Sequence, residues 1–342
     1  MRDLLPSHRP ALVLAPMQDI THLAFMRVLA RRSAPDWFVT EYFRVHPNSK
    51  PERHIVRAIT GNDTGKPVFA QLIGDDLPSL VRTARALERF SIAGIDINLG
   101  CPAPIVCRKN AGGGLLRRPD ELRVLLDGLR AAVPGRFTAK TRIGYALPEE
   151  FPELLECFSG VGLDGLTIHA RTVKQCYKGP VDTTLVALAA RVMRCPVIAN
   201  GNIVDAATAL AYHRLTGASG LMVGRGAIRN PWIFSQVDAA FSGAASPVPS
   251  HFDLLEYINE LYDAVAAETV TFCPKGHVQR MKRTVVYICH GLGNGFEHAL
   301  RRCVTPDEFH AICRDQLASS EPLPVLPPDD SPLFSGFGGL LE

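Results

Sequence analysis

Apolar and polar positions follow two different periods along most of this chain. Short apolar, β-branched runs recur at residues 12–15, 37–40, 68–73, 94–99, 137–142, 165–169, 197–199 and 220–223. A stretch with helical spacing follows each run, as at 77–90, 120–132 and 205–215. Near-continuous apolar runs of this length read as strands covered on both faces. Strands at roughly thirty-residue intervals with helices between them are the βαβ signature. Eight such units predict an α/β fold of the TIM (β/α)8 barrel type. An open, doubly wound sheet fits less well, because no Gly-x-Gly-x-x-Gly follows the first strand. On this reading Asp205 lies in the first turn of its helix, where a carboxylate suits the positive end of the dipole.

Past Phe241 the pattern changes. Residues 243–250 are small, polar and proline-containing, which reads as a linker. Residues 253–268, 277–290 and 306–317 then show helical spacing with no strand between them, predicting a smaller all-helical C-terminal domain. From Glu321 onward the chain is rich in Pro and Gly and is expected to lack regular structure, with Phe334 and Phe337 available to pack on the body. The expected organisation is a barrel over 1–242, a helical domain over 251–320 and an irregular tail over 321–342.

Composition narrows the class. At 342 residues the chain can bury a core that needs no disulfide staple. Its nine cysteines are singletons with no Cys-x-x-Cys, which points to a reducing cytoplasm and away from a zinc site. No metal is expected. The apolar run 11–15 ends at Pro16, too short for a signal peptide, and no run is long enough to cross a bilayer. A cytoplasmic protein without membrane contact follows. A net charge of +3 permits a nucleic-acid partner without arguing for one, so any basic footprint is local.

In the predicted fold, sites form at the C-terminal ends of the strands. That rim collects Gln71, Asn98 and Cys101, Lys140 and Arg142, His169 and Arg171, Asn200 and Gly201, and Gly224 and Arg225. Each has a plainer reading. Cys101 fits either a small buried hydrophobe or a reactive thiol. Lys140 and Arg142 share one strand face and fit an anionic ligand or a structural pairing with Asp96. His169 alone reads as a hydrogen-bonded core histidine, and Gln71 as a cap on a neighbouring backbone group. Gly201 and Gly224-Arg225-Gly226 follow the seventh and eighth strands, where this fold commonly holds phosphate.

The order of motifs is more specific than any one of them. Leu14-Ala15-Pro16-Met17, Asn98-x-Gly100-Cys101-Pro102, Lys140-x-Arg142-x-Gly144 and His169-Ala170-Arg171-Thr172 occur in sequence. Ala199-Asn200-Gly201, Gly224-Arg225-Gly226 and Asn230-Pro231-Trp232-Ile233-Phe234 follow. Over about residues 11–240, and more loosely beyond, the chain closely resembles the tRNA-dihydrouridine synthases.

The resemblance implies reduction of the C5=C6 bond of a D-loop uridine in tRNA, with FMN as cofactor and NADPH or NADH as reductant. It implies Cys101 as general acid, giving a proton to C5 after hydride reaches C6. A thiol ordinarily titrates at about 8.5 and is mostly protonated near neutrality, which suits that role. Pro16, Met17, Gln71, Lys140, His169, Asn200, Gly201, Asn202, Gly224 and Arg225 match cofactor-binding positions. Asn98, Arg142 and Arg171 match positions near the substrate base. Arg280, Lys282 and Arg283 resemble the basic helix that grips the tRNA D-loop and elbow. Taken without the resemblance, that cluster reads as a solvated helix face.

Two departures stand out. Residues 18–27 differ from the turn and Pro-Phe-Arg common in the family, and Asn202 stands where an acidic residue is common. Residues 40–45 look most like the subgroup acting on the first D-loop uridine, at position 16. A small-molecule pyrimidine flavin oxidoreductase and a non-catalytic tRNA-binding relative are the alternatives.

Overall fold

Among the described residues, nine strands form one parallel sheet that closes on itself. They are β1 (Ala11–Leu14), β2 (Trp37–Val39), β3 (Phe43–Arg44), β4 (Val68–Ile73), β5 (Gly94–Leu99), β6 (Phe137–Arg142), β7 (Gly165–His169), β8 (Val197–Asn200) and β9 (Gly220–Val223). The structure, a computed structural model, describes residues 1–269, 271–293, 295–324 and 326–341. Closure comes from β1, which pairs with β2 on one side and β9 on the other. Strand β3 is the one strand the sequence pattern does not predict. It pairs with the far end of β4, at Phe43↔Leu72, while β2 pairs with its beginning, at Phe38↔Val68. The two form a single interrupted stave, so the barrel has eight staves and is a (β/α)8 barrel.

Alternation along each strand sorts the side chains. Ala11, Val13, Trp37, Phe69, Ile198 and Met222 form an apolar cluster distinct from the main core, and Met1, Leu4 and Leu5 pack against it. Toward the C-terminal ends of β4 and β8, and on β5 to β7, the same face is polar, with Gln71, Asp96, Asn98, Thr138, Lys140, Thr167, His169 and Asn200. Register aligns these in rows. Asn98 lies beside Lys140, Arg142 beside His169, His169 beside Asn200, and Asn200 beside Met222. The alternate residues, such as Ile95, Ile97, Leu99, Leu166 and Ile168, are fully buried in the main core, where the surrounding helices pack.

Helix starts are fixed by side-chain caps. Asp205 is not in the first turn of its helix but is its N-cap, one residue before Ala206–Thr216, where its carboxylate accepts from Thr208 N at 2.8 Å. The carboxylate therefore satisfies an orphan N–H directly, a stronger local effect than the dipole alone. Ser250 with Asp253, and Thr305 with Glu308, form capping boxes that open later helices.

Beyond the barrel lie the helices His251–Glu268, Pro274–Cys289, Phe296–Arg302 and Pro306–Leu317. The short third one escapes the sequence pattern. The first lies along the barrel helix Leu23–Arg32. It buries Leu254, Tyr257, Ile258 and Leu261, and its Glu260 receives both Arg31 and Arg32. Among the described residues after Leu317, regular structure is limited to an isolated bridge of Pro322 to Ser250 and a 3-10 turn, Gly338–Leu340. Phe334 and Phe337 are buried there against Val204. No helix among the described residues is long and apolar enough to cross a membrane.

Candidate active site

A cavity of about 610 Å³ opens at the C-terminal rim of the barrel. Its size is that of a small-molecule or cofactor site. Strand ends and the loops after them supply its lining. Pro16 and Met17 come from the loop after β1, Asn98 and Cys101 from β5 and its loop, and Lys140 and Arg142 from β6. His169 closes β7 and Asn200 closes β8, with Gly201 and Asn202 just after it, and Gly224 and Arg225 follow β9. The motifs spread over more than two hundred residues thus converge on one space.

Gln71 and Arg171 do not line it. Strand β4 runs two residues past Gln71 to Ile73, so Gln71 sits a layer below the rim, fully buried. Its amide is consumed there. Nε2 donates to Asp96 Oδ2 at 2.8 Å, and Oε1 accepts from Asn98 Nδ2 at 2.9 Å. Asn98 Oδ1 in turn accepts from the backbone N of Gly100 at 3.1 Å and of Cys101 at 2.9 Å. A chain of hydrogen bonds therefore runs from buried Asp96 through Gln71 and Asn98 to the Cys101 backbone. Gln71→Leu would leave Asp96 Oδ2 and Asn98 Nδ2 without these partners, and each orphaned group costs about 1–3 kcal/mol. The expected result is a urea midpoint lowered by about 2–4 kcal/mol equivalent. An unchanged midpoint would show that the two groups find other partners.

Arg171 is fully buried behind the rim. It donates to Asn202 Oδ1 at 2.8 Å and to the carbonyls of Gly179 and Ser335. Arg142 lines the cavity, but its guanidinium turns into the wall, donating to the carbonyls of Gly100, Thr172 and Cys176 at 2.8, 2.9 and 2.5 Å. Arg280, Lys282 and Arg283 lie outside the cavity on helix Pro274–Cys289. Arg283 reaches Asp19 in the loop after β1, at 3.3 Å.

Cys101 is half-buried at the cavity, on a loop held from both sides. Gly113 N donates to Cys101 O at 3.1 Å, and a Cβ on Gly113 would stand 2.9 Å from that oxygen. The glycine run after the cysteine is therefore a packing requirement, because any side chain there would push the Cys101 loop out of place.

Charge is unbalanced around the cavity. Among the described residues, no carboxylate oxygen lies within 4 Å of a charged nitrogen of Lys140, Arg142, Arg171 or Arg225. The structural pairing with Asp96 is thus not a direct ion pair. Lys140 Nζ instead donates to Asn200 Oδ1 at 3.1 Å. Burial, then the Arg142 charge, push the Lys140 ammonium down to about 8. Burial and the Arg142 and Lys140 charges hold His169 well below its ordinary range, so its imidazole is neutral. Its Nδ1 is buried with no hydrogen-bond partner among the described residues.

The lining also includes Tyr177 and Tyr287, which the sequence does not single out, Gln18 and Tyr42 from the segments 18–27 and 40–45, and Phe334, expected only to pack on the body. Tyr177 is central. The Arg142 and Arg225 guanidinium carbons lie 5.3 and 4.9 Å from its ring centre, and His169 meets it edge-on at 6.2 Å. An aromatic residue in the loop after β7 was the available signal for Tyr177. Phe334 packs on the body as expected, but nothing local marks it as a cavity residue.

The dihydrouridine synthase (Dus) family profile matches residues 13–321, which includes every strand but the first two residues of β1 and every cavity residue but Phe334. The chain belongs to the dihydrouridine synthase family. A probable tRNA-dihydrouridine synthase of Rhodobacter capsulatus is 34% identical over 75% of this chain and 80% of the relative. A tRNA-dihydrouridine(16) synthase of Pseudomonas putida is 31% identical over 80% of this chain and 86% of the relative. That of Neisseria meningitidis serogroup B is 29% identical over 75% and 80%. The histamine dehydrogenase of a Rhizobium species shares the fold, with a TM-score of 0.52 at 12% identity over 73% of this chain and 49% of that one. Membership of the dihydrouridine synthases makes the chain an oxidoreductase that acts on uridine in tRNA.

Proposed function

We propose that the rim cavity binds FMN and that the chain reduces the C5=C6 bond of a D-loop uridine in cytoplasmic tRNA, with NADPH as reductant and Cys101 as proton donor. The carrying observation is the cavity itself. It pairs an accessible thiol with buried cations that have no carboxylate partner, and so suits a ligand bearing phosphate. The neutral His169, which lines the cavity, adds a hydrogen-bonding ring for a polar ligand.

Bound FMN would supply the hydride that adds to C6 of the uracil. The protein's own residues prepare the rest. Cys101 Sγ holds a proton for C5, and the Asp96–Gln71–Asn98 chain fixes the backbone that carries it. Lys140, steadied by Asn200, sets a positive charge in the cavity floor where negative charge develops. Arg225, with its guanidinium against Tyr177, is placed for the phosphate end.

A uracil in folded tRNA must be extruded to reach this cavity, at a cost of a few kcal/mol that binding elsewhere has to offset. A basic face beside the mouth supports that role. Arg44 is exposed over the ring of Tyr42, its carbon 5.7 Å from the centre. Arg283 reaches the β1 loop, and burial, then the Arg280 charge, push His22 down to about 4. Combined Arg280→Ala, Lys282→Ala and Arg283→Ala substitution is expected to raise the tRNA KM about tenfold or more. It should also flatten the log K against log salt slope by roughly 2–3. The rate of flavin reduction by NADPH should stay the same. An unaltered salt slope would remove this helix from the interface. Assignment to position 16 rests on residues 40–45 and on the similarity to the tRNA-dihydrouridine(16) synthases of Pseudomonas and Neisseria.

The reading is tested anaerobically. The purified protein is reduced with NADPH, and reoxidation is followed after adding unmodified tRNA, uracil or orotate. Rapid reoxidation by tRNA alone is expected. Reoxidation by a small pyrimidine alone would move the substrate to that class, and absence of flavin after reconstitution with FMN would end the flavin reading.

A further inference from the structure

We propose that the C-terminal segment 333–336 is part of the cofactor site, where it aligns Arg225 at the rim and thereby sets the preference for a phosphorylated flavin. This rests on the flavin reading above. Phe334 is 2% exposed and forms part of the cavity wall. The Arg225 guanidinium is held between two rings, its carbon 4.9 Å from the Tyr177 centre and 5.9 Å from that of Phe334. Three successive contacts then tie the segment to the rim. Arg225 Nη1 donates to Leu333 O, Arg171 Nη2 donates to Ser335 O at 3.0 Å, and Asn202 Nδ2 donates to Gly336 O.

The docking is built into the segment. Gly336 has φ +81°, and a Cβ there would fall 2.5 Å from Gly179 O, so this close approach requires glycine. Ser331, 1% exposed, accepts at Oγ from the backbone N of both Leu333 and Phe334, each at 3.2 Å. Ser335 Oγ donates to Tyr177 O at 3.0 Å, joining the segment to the ring that backs Arg225.

The kind of contact decides between alignment and blockade. The segment offers the two arginines backbone carbonyls, and no carboxylate among the described residues pairs with either. These contacts orient the guanidinium planes and leave the charge of Arg225, which lines the cavity, available to a phosphate. Asn202 fits the same logic. Its amide can both accept from Arg171 and donate to Gly336 O, whereas a carboxylate in its place is acceptor-only. The family match ends at residue 321, so this segment lies beyond it.

The test compares full-length protein, Gly336→Val and a chain ending at Leu326. FMN and riboflavin dissociation constants are measured on the apoproteins by flavin fluorescence, and apoprotein unfolding is recorded alongside. Gly336→Val keeps every other residue and denies only the close approach, so it serves if the shortened chain does not fold. The expected result is an FMN dissociation constant raised about tenfold or more, with riboflavin nearly unchanged, so that the preference for phosphate collapses. Equal weakening for both flavins, or no change for either, would overturn the assignment while leaving the flavin reading in place. A full-length protein that binds neither flavin would overturn both.

Discussion

Cys101→Ala is expected to keep flavin and tRNA binding and to lower turnover by about 10²–10⁴-fold, the range for loss of a general acid. The substitution removes only Sγ. The backbone of residue 101 stays anchored by Asn98 Oδ1 at 2.9 Å and by Gly113 N at 3.1 Å, so the loop and the cavity wall persist. Stopped-flow separation of the two half-reactions gives the decisive reading. Flavin reduction by NADPH should proceed at the normal rate, and reoxidation by tRNA should be slow. Cys176 also lines the cavity, but its φ of +53° turns its carbonyl toward Arg142, which gives it a structural duty. Normal reoxidation in Cys101→Ala would take the proton-donor role away from Cys101.

Lys140→Met is expected to slow hydride transfer by about 10²–10³-fold, as for loss of one preorganised electrostatic contact. It should also weaken FMN binding. The wild-type protein carries its own control, because Lys140 is pushed down to about 8 by burial and by Arg142. An anionic ligand favours the charged lysine, so FMN affinity should fall as pH rises through about 8. In Lys140→Met that fall should vanish, leaving a flat and weaker profile. The stability of the empty protein has the opposite sign. The unfolded chain keeps its lysine protonated up to the ordinary range near 10.5, so between about 8 and 10.5 it binds more protons than the folded one. Lys140 therefore contributes a stability that rises with pH in that window. Flavin fluorescence titrations from pH 7 to 9.5 check the first trend. A wild-type affinity independent of pH would mean that Lys140 does not face the ligand's charge.

The structure also changes how tRNA binding can be probed. Removing everything after Gly243 would strip helix His251–Glu268 from the barrel helix Leu23–Arg32. Leu254, Tyr257, Ile258 and Leu261 are each at most 1% exposed in that seam, and burying such side chains is worth about 1.5–3 kcal/mol each. Loss of activity after such a deletion would report a damaged barrel. Charge removal on Arg280, Lys282 and Arg283 leaves that seam untouched.

Strand positions and the polar half of the barrel interior were legible from the chain alone, because both depend on a local two-residue period. Asp96, Asn98, Lys140 and His169 fall on one face by that period, and closing the sheet carries them to one rim. The depth of a residue below that rim was less legible. Gln71 was read as a strand end, yet β4 continues to Ile73 and leaves Gln71 as a support beneath Asn98. Arg171 follows β7 at the rim, but Gly179, Asn202 and Ser335 draw its side chain into the wall. Phe334, Arg283 and Asp19 meet their partners across long sequence separations with no repeating pattern between them. Local periodicity determined which elements form and which faces are polar. Only tertiary packing decided which of the polar residues reach the cavity, because that choice depends on backbone carbonyls and rings delivered by distant segments of the chain.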